Sequence, residues 1–523
     1  MATTVDEGVG LMDVTTLMRQ AARLNADRPA IITEDRTLTF AQAWERGVRL
    51  ANGLRAMGVR PGDRVAGLEE NNVGCADFLL GCAIAGAVRA PLYPRNSAEA
   101  HGHMIEGTDC AVVLTDPAFA DTVLDLPARL DCLRHVLVRD ESYEDWLAAQ
   151  DPTDPMVEVD GEDWYIIRHS GGTTGRPKGV AYTHHDWVCN CRNWAYLMER
   201  MGSGSVVGHA APISHASGYL FLPGWLGGAV NLLFGAFEPP KVLKMMREHR
   251  VSHMFAAPSL LAALARDPLA TDDDWPDLKA LLVGGAPITD ATALLAHQVF
   301  GDVLHQAFGQ TEAVPLAGMG PKEWFGDVEG STPLRAAGRI YPFAQVEIRD
   351  IDGNVVPLGE EGQIVAKVEG QMRGYWGDEQ LTKGRLIDGW VHTQDVGRID
   401  RNGFLYVLDR ADDMIVSGGF NIWPAELETV LEDHPAVIEA AVFGVPHERW
   451  GETPMAVVCV GEAGAVTEEE IIELCRDRLG SYKKPGRVEI TTEPLPKSPV
   501  GKLLRKQLRE PHWAGHHRRV SGA

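Results

Sequence analysis

The chain has 523 residues, which is too long for one compact core and predicts two to four domains. Its formal net charge of −24 argues against general binding to nucleic acids or to anionic membranes. An anionic ligand would therefore need cations placed at its own site.

The eight cysteines are scattered and form no C-x-x-C pair. Cys189 and Cys191 are the most closely spaced, and no second pair completes a zinc site with them. The pattern is typical of reduced thiols, so we expect a cytoplasmic protein. The N-terminus is acidic and lacks a basic start followed by an apolar core, so no signal peptide is predicted.

Short β-like runs alternate with helical patterns in the first half of the chain. A strand is predicted at Ala30–Thr33, and apolar residues spaced by three or four from Phe40 to Leu54 predict a helix, with Gly58 at its expected end. Further strands are predicted at Val65–Gly67, Val88–Leu92 and Ala111–Leu114. This alternation predicts parallel sheets covered by helices.

A run of anion-binding residues follows the apolar segment Trp164–Ile167. It reads Ser170-Gly171-Gly172-Thr173-Thr174-Gly175-Arg176-Pro177-Lys178-Gly179. Glycines bring backbone N–H groups close to phosphate oxygens, hydroxyls add donors, and the cations offset charge. Lys178 precedes glycine rather than Ser or Thr, so this is not a Walker A loop. The alternative, a flexible surface turn, does not explain so many anion-binding groups in one place.

Gly218–Phe237 contains no charged residue over twenty positions. Two interpretations are a transmembrane helix and a buried part of an α/β core. Pro223, Asn231 and five glycines favour the buried core.

The pattern changes after about Ala336. Gln345–Ile348 and Gly362–Val368 alternate with period two, which predicts a small antiparallel or barrel-like module. Beyond about Ala411 we expect a compact α+β unit with a helix from Pro424 and another opened by the capping box Thr467–Glu470. The polar segment Asp409–Asp413 is a candidate hinge.

Eight further clusters follow the Gly-rich loop in a fixed order. They are Pro212–Gly218, Gly284–Pro287, Gln306–Glu312, Gly374–Trp376, Gly389–Asp395, Asp409–Ile415, Gly418–Glu428 and Pro496–Lys502. With the loop, they resemble the adenylate-forming superfamily of acyl-CoA synthetases, non-ribosomal adenylation domains and firefly luciferase. The resemblance runs from about residue 15 to residue 510, and within the superfamily it is strongest to fatty-acid–CoA ligases.

The resemblance implies an α/β fold with two domains. Residues 1–410 would form a large AMP-binding domain of two helix-covered sheets plus a small barrel-like β subdomain. Residues 411–523 would form a smaller, mobile α+β domain that carries the catalytic lysine. The implied reaction joins a hydrophobic carboxylate to ATP, releasing pyrophosphate, and then transfers the acyl group to CoA, releasing AMP. ATP, Mg²⁺ and CoA are thus the implied cofactors.

The resemblance also implies the nucleotide contacts. The residues matched to ATP phosphates are Ser170, Gly171, Gly172, Thr173, Thr174, Gly175, Lys178 and, near the α-phosphate, Thr311. Those matched to adenine are Gly285, Ala286 and Pro287 with Gln306, Ala307, Phe308 and Gly309. Asp395 matches the acceptor of the ribose hydroxyls, and Arg410 a neighbouring ribose or phosphate contact. Outside its motif, Asp395 would be an ordinary turn aspartate.

Catalytic roles are implied for Lys502, Thr311, Glu312 and His215. Glu312 matches a Mg²⁺ ligand, and a carboxylate beside ATP phosphates suits a hard cation. Lys502 matches a cation that offsets charge developing between the carboxylate and the α-phosphate. Without their motifs these two residues would be a surface carboxylate and a solvated lysine. His215 matches a residue at the carboxylate end of the acyl pocket, and its alternative is a satisfied core histidine.

The second half-reaction involves the small domain. Asp412 matches the hinge, and Gly418 and Gly419 match the loop near the thioester site. Trp450–Glu452 and Tyr482–Pro485 resemble segments of CoA-using members, but they equally fit surface packing.

The chain departs from the family pattern at two places. Ser170-Gly171-Gly172 stands where many members have Thr-Ser-Gly, a change shared with aryl-acid-activating relatives, and Gln394 replaces a usual glycine. These changes concern substrate detail. An adenylating enzyme that loads a carrier protein and a non-catalytic nucleotide-binding protein remain alternative functions. The identity of the acid and any homo-oligomer are left open by the sequence.

Overall fold

The computed structural model describes residues 11–94, 96–170, 177–271, 274–410, 413–417, 420–447, 450–481, 483–497 and 503–514. For Ser170 and Arg410 it describes the backbone alone.

The α-helices within the described residues vary from four to 17 residues. They are α1 Val14–Leu24, α2 Phe40–Ala56, α3 Val73–Ala85, α4 Ala98–Gly107, α5 Tyr143–Ala148, α6 His184–Trp194, α7 Gly218–Gly227, α8 Pro239–Glu248, α9 Pro258–Arg266, α10 Pro268–Thr271, α11 Asp290–Phe300, α12 Pro321–Trp324, α13 Glu379–Arg385, α14 Pro424–Glu432, α15 Glu468–Leu479 and α16 Arg505–Trp513. Short 3-10 helices occupy Pro117–Thr122, Leu126–Ala128, Ala195–Leu197 and Pro333–Arg335.

The β-strands of the first half are β1 Pro29–Ile32, β2 Thr37–Thr39, β3 Arg64–Leu68, β4 Val88–Pro91, β5 Cys110–Thr115, β6 His135–Val138, β7 Trp164–Ser170, β8 Lys178–Thr183, β9 Val206–His209, β10 Val230–Leu233, β11 His253–Ala256 and β12 Ala280–Gly284. Those of the second half are β13 Leu304–Gln310, β14 Ala313–Met319, β15 Gly338–Ile340, β16 Ala344–Arg349, β17 Gly362–Val368, β18 Gly374–Tyr375, β19 Leu386–Ile387, β20 Trp390–Ile399, β21 Phe404–Arg410, β22 Ile415–Ser417, β23 Phe420–Ile422, β24 Val437–His447, β25 Gly451–Val460 and β26 Arg487–Thr491.

One sheet of seven strands has the order β18-β8-β7-β4-β3-β5-β6. Its strands from β7 through β4, β3 and β5 to β6 run parallel, whereas β7 pairs antiparallel with β8. The predicted strands at 65–67, 88–92 and 111–114 are confirmed as parts of β3, β4 and β5. The predicted helix from Phe40 is confirmed as α2, and Gly58 follows its end with φ +84°.

A second sheet of fourteen strands has the order β16-β17-β20-β21-β15-β14-β13-β12-β11-β9-β10-β1-β2, with β19 paired to β20. Its strands from β13 back to β1 run parallel, as the alternating pattern predicted. The antiparallel strands predicted after Ala336 are confirmed. They continue this same sheet, because β15 pairs with both β14 and β21.

The main core lies between these two sheets. Its buried residues come from β7 and β8 on one side, from β9, β12 and β13 on the other, and from the helices α1, α3, α6 and α7 between them. Trp225 on α7 is fully buried, and its Nε1–H donates to the carbonyl of Met18 on α1. Large apolar side chains buried in this way are the main stabilising contribution to such a core.

The segment Gly218–Phe237 contains α7 and β10 and is buried: α7 belongs to that core, whereas Leu232 and Phe234 belong to a neighbouring core cluster. Within the described residues, no helix combines the length and the apolar character needed to cross a membrane.

A third sheet forms the C-terminal α+β unit. It has the order β23-β22-β25-β24, with β26 paired to β25, and α14 and α15 pack against it. The helix predicted from Pro424 and the capping box between Thr467 and Glu470 are both confirmed. The boundary between residues 410 and 411 stays a prediction.

Candidate active site

Strands β7 and β8 present the Gly-rich loop. Ser170, the last residue of β7, is paired with Lys178, the first of β8, so residues 171–176 connect two antiparallel strands at their ends. Gly171, Gly172, Thr173, Thr174 and Gly175 lie outside the described residues. The Lys178 Nζ atom lies 6.0 Å from the centre of the Tyr375 ring, which orients this cation near β18.

The two segments predicted to bind adenine lie side by side. Strands β12 and β13 are parallel neighbours with Gly284 opposite Ala307, so Gly285, Ala286 and Pro287 follow one strand while Gln306–Gly309 lie on the other. A Cβ on Gly284 would lie 2.6 Å from the Ala307 carbonyl oxygen, so the close approach requires glycine.

Gln306 has an unused acceptor in this arrangement. Its Oε1 atom is buried and has no hydrogen-bond partner within the described part of the chain. Buried acceptors are normally satisfied, and the exocyclic amine of adenine is a donor that fits this one. The residues present therefore suit an adenine nucleotide.

Glu312 is a buried carboxylate held by two neighbours. The Tyr375 hydroxyl donates to Glu312 Oε1 over 2.8 Å, and Arg385 Nη2 lies 4.0 Å from the same oxygen. Burial, with Glu312 as the next cause, raises the pKa of Tyr375, so its hydroxyl remains a donor. A carboxylate fixed in this way suits a hard divalent cation such as Mg²⁺.

Asp395 is oriented by Gln310. The Gln310 Nε2 atom donates both to Asp395 Oδ2 and, over 2.8 Å, to the Thr393 carbonyl oxygen. Asp395 also pairs with Arg410 across β20 and β21, which brings together the two residues predicted to contact ribose. Between Thr393 and Asp395, Gln394 has φ +61°, a conformation that explains why glycine is usual there.

Thr311 lies at the tight connection between β13 and β14. Its carbonyl oxygen accepts a hydrogen bond from the Tyr182 hydroxyl on β8. This bond joins the seven-stranded sheet to the fourteen-stranded sheet at the predicted position of the α-phosphate.

His215 lies in a polar cluster within an aromatic environment. The Tyr93 hydroxyl is 2.5 Å from its Nδ1 atom, and Arg168 Nη2 is 3.1 Å from the same atom. Because arginine only donates, His215 Nδ1 accepts, and the ring proton is assigned to Nε2. His215 is thus hydrogen-bonded as a core histidine would be, while it also lies beside an arginine that has no carboxylate partner among the described residues.

The aromatic residues of α7, which we call the apolar wall, divide into two parts. Phe221 and Trp225 stack on each other, and Trp225 contacts Phe40 of α2, so both belong to the core. Tyr219 instead faces Arg168 and stacks on Trp187 and Trp194 of α6, with ring centres 5.3 and 5.0 Å apart. Tyr219 is therefore the residue of this wall that contacts the His215 cluster.

The functional residues predicted in the small domain, Asp412, Gly418, Gly419 and Lys502, lie outside the described residues. Arg505, just after them, is described. Its Nε and Nη1 atoms donate to Glu428 over 2.8 Å and to Asp413 over 3.3 Å, which fixes the start of α16.

Three contributors to the site had no role assigned from the sequence: Gln310, Arg168 and Tyr375. Gln310 and Tyr375 fall inside quoted motifs, so the motifs mark them without showing what they contact. For Arg168, the signal is an arginine placed between the apolar run Trp164–Ile167 and the loop, on a strand expected to be buried.

Comparison with known proteins identifies the family. Residues 17–376 match the model of the AMP-binding enzyme family, and residues 426–502 match the model of the AMP-binding enzyme C-terminal domain.

A feruloyl-CoA synthase from Amycolatopsis is 37% identical, with 93% of this chain and 96% of the relative covered. A fatty acid–[acyl-carrier-protein] ligase from Streptomyces coeruleorubidus is 30% identical over 94% of this chain and 95% of its own. The crystal structure of ATP-bound MatB from Rhodopseudomonas palustris superimposes with a TM-score of 0.86 at 26% identity, covering 97% of this chain and all of that one.

Proposed function

The chain belongs to the family of AMP-binding enzymes, and we propose that it activates a hydrophobic carboxylic acid with ATP and transfers the acyl group to CoA. It is an AMP-forming acid–thiol ligase that uses ATP, Mg²⁺ and CoA. The observation that carries the proposal is the meeting of Glu312, Asp395 and the β12–β13 pair at the end of β13, where Gln310 donates to Asp395 and Glu312 follows two residues later.

In the first half-reaction, a carboxylate oxygen attacks the α-phosphorus of ATP and pyrophosphate leaves. We assign Lys178 and the loop before it to the β- and γ-phosphates, and Thr311 to the α-phosphate. Glu312 would hold Mg²⁺, whose charge offsets that of the phosphates. Tyr375 orients Glu312, and the aligned carboxylate requires no reorganisation during the reaction.

A second set of residues positions the ribose and the adenine of the nucleotide. We assign Asp395 to the ribose hydroxyls, with Arg410 beside it and Gln310 holding its carboxylate in place. Gln306, Gly285 and their neighbours on β12 and β13 would enclose adenine. Holding the nucleotide at both ends positions the α-phosphate for in-line attack.

The small domain would serve both half-reactions. We propose that Lys502 lies between the carboxylate and the α-phosphate during adenylation. Rotation about Asp412 would then replace it with Gly418 and Gly419, where the CoA thiol displaces AMP. Such a rotation is a hinge motion between two packed domains.

Among hydrophobic acids, we propose that aryl acids are the first class to test. Trp187 and Trp194 stack on Tyr219, which faces Arg168, the neighbour of His215. The Gly171-Gly172 doublet and the name of the feruloyl-CoA synthase relative support the same class. Ferulate is therefore the first acid to assay, with dodecanoate as an aliphatic comparison.

The experiment measures pyrophosphate release and thioester formation with each acid, with and without CoA. Acyl-CoA together with AMP is the expected result. Adenylate that forms but does not respond to CoA would favour transfer to a carrier protein, the activity in the name of the Streptomyces coeruleorubidus relative. No turnover with any acid would favour the non-catalytic alternative.

The Lys502→Ala variant tests the role proposed for Lys502 in the same assay. It should lower adenylation by about 100-fold, because one preorganised charge is lost from the transition state. Thioester formation from pre-made acyl-adenylate should change far less. Equal loss in both half-reactions would contradict the role proposed for Lys502.

We also propose that the enzyme works in the cytoplasm. All eight cysteines are free thiols, and seven of them are buried, which suits a reducing compartment.

A further inference from the structure

Arg168 is a buried cation without an anionic partner in the described part of the chain. Its residue exposure is 2%, and it forms no ion pair with any residue that the structure describes. Its Nη1 atom is buried and has no hydrogen-bond partner there. By contrast Arg139, which is also buried, contacts the carboxylates of Glu69 and Asp116. Removing a charge from water raises the free energy of the protein unless the charge is paired. The burial of Arg168 therefore favours the binding of an anion beside it.

Aromatic rings hold the guanidinium in place. Its carbon lies 4.3 Å from the centre of the Tyr219 ring and 5.6 Å from that of Trp187. Such contacts offset only part of the cost of burying a cation. They orient Arg168 and leave its Nη1 donors unused.

The position of Arg168 links it to the chemistry. It lies two residues before the end of β7, where the Gly-rich loop begins. On β8, its backbone partner Val180 lies two residues before Tyr182, and both Arg168 and the ring that bears the Tyr182 hydroxyl lie against Trp187. The same hydroxyl donates to the carbonyl of Thr311. Arg168 is therefore near the residues assigned to the α-phosphate.

We infer that Arg168 binds the reacting carboxylate of the acid substrate before it is adenylated. This inference rests on the proposed function and assigns to Arg168 the selection of the ionised acid over uncharged analogues. Two donors, from Tyr93 and Arg168, share the single lone pair of His215 Nδ1. Arg168 Nη2 can therefore turn to the carboxylate with Nη1, as a two-point contact, while Tyr93 keeps His215 in place.

The inferred contact ends with the first half-reaction. The bond between the carboxylate oxygen and the α-phosphorus forms, the bond to pyrophosphate breaks, and no proton is exchanged. The acyl group then carries no carboxylate charge, so Arg168 no longer holds it strongly. Arg168 should therefore matter for the acid and for adenylation, but not for the attack of CoA.

The test compares Arg168→Met and Arg168→Lys with Arg89→Met as the matched control. Arg89, on the neighbouring strand β4, is also buried, forms no ion pair among the described residues and lies over the rings of Phe78 and Tyr165. We expect Arg168→Met to raise KM for ferulate by about 10–100-fold, the range for a lost hydrogen bond to a charged group. KM for ATP and thioester formation from pre-made feruloyl-adenylate should stay within about twofold of wild type.

Equilibrium binding of ferulate and of its primary amide provides a readout that needs no turnover. The wild-type protein should prefer the acid, Arg168→Met should lose the preference, and Arg168→Lys should recover part of it. Equal loss in both half-reactions, an unchanged preference, or the same profile in Arg89→Met would overturn the inference. Acid-selective binding that depends on Arg168, but without pyrophosphate release, would instead contradict the proposed function.

Discussion

At the scale of single residues, Tyr375 connects two parts of the site. Its ring lies 6.0 Å from the Lys178 amine, and its hydroxyl donates to Glu312. One side chain thus positions both the cation assigned to phosphate and the carboxylate assigned to Mg²⁺. Partners of this kind fix the orientation of a ligand before the metal binds.

Replacing Tyr375 with phenylalanine should weaken the response to Mg²⁺. The ring is retained, so the contact with Lys178 stays, but Glu312 loses the donor that fixes it. We expect the Mg²⁺ concentration for half-maximal adenylation to rise by about 10–100-fold. Pyrophosphate release across a Mg²⁺ titration measures this change.

Tyr143→Phe is the matched control for that titration. The Tyr143 hydroxyl donates to the buried carboxylate of Asp77 over 3.1 Å, and Asp77 also pairs with Arg46, as Glu312 does with Arg385. Its loss should lower stability without changing the Mg²⁺ dependence. The same shift in both variants would show that Tyr375 acts through stability alone.

The residues of the site were predictable from sequence to different extents. Glu312 and Asp395 stand in motifs whose order identifies the family, so their assignment needs no coordinates. The pairing of Gln310 with Asp395 was not visible, because it joins strands 85 positions apart in sequence. Gln394 shows the reverse: its departure from glycine is visible in sequence, while the positive φ that it must adopt is known only from the fold.

At the scale of secondary-structure elements, α1 is held by three contacts with different helices. The Val14 amide donates to His184 Nδ1 on α6 over 3.2 Å, the Thr15 hydroxyl donates to the Ala83 carbonyl on α3 over 2.8 Å, and Trp225 of α7 donates to Met18. The first bond requires that His184 Nδ1 carry no proton. The docking of α1 is therefore linked to the protonation of His184.

The protection of the α1 backbone amides from hydrogen exchange should fall as the pH is lowered. Burial lowers the pKa of His184 to about 4 from 6.5, although Asp13, Asp163 and Asp160 oppose the shift. At a pH between these two pKa values, His184 binds a proton when α1 is undocked but not when α1 is docked. The docking of α1 is therefore stronger at higher pH. From pH 6.5 to about pH 5, α1 should open about 15-fold more often, because the undocked histidine is already half protonated at pH 6.5 and the change approaches tenfold per pH unit only below that value. Hydrogen exchange at Val14–Leu24, corrected for intrinsic rates, measures how often α1 opens.

His184→Gln provides the control for this pH effect. A glutamine oxygen can accept from the Val14 amide but does not titrate, so the dependence on pH should disappear. Strand β12 in the core should show no such dependence in either protein. A pH slope that persists in His184→Gln would assign the effect to another group.

At the scale of the whole molecule, long-range pairing determines the architecture. The predicted strand near Ala30 is real, yet its parallel partner β10 lies 200 residues later, with Ile31 opposite Asn231. Local patterns predicted the strands, the helices and the change after Ala336. They could not predict that β15 joins the parallel and antiparallel parts into one sheet, because that pairing depends on contacts between distant segments.

A contact between the two predicted domains provides a test of their alternation. The Trp423 Nε1–H, at the start of α14, donates over 3.3 Å to Glu361 Oε2, which precedes β17 in the large domain. If the small domain alternates between two orientations, this bond stabilises the one described here. A bond of this kind contributes about 0.5–1.5 kcal/mol, enough to change the balance of the two orientations by about two- to tenfold.

Trp423→Phe should therefore move the two half-reactions in opposite directions. Removing the N–H depopulates the described orientation, so the half-reaction that uses it slows while the other speeds up. Pyrophosphate release and thioester formation from pre-made adenylate, measured separately, give the ratio of the two half-reaction rates.

Trp513→Phe is the matched control, because the Trp513 N–H donates over 2.9 Å to the Gly444 carbonyl within the small domain. Its loss affects the stability of that domain, so both half-reactions should fall together. The same parallel fall in Trp423→Phe would mean that its bond with Glu361 does not govern the domain orientation.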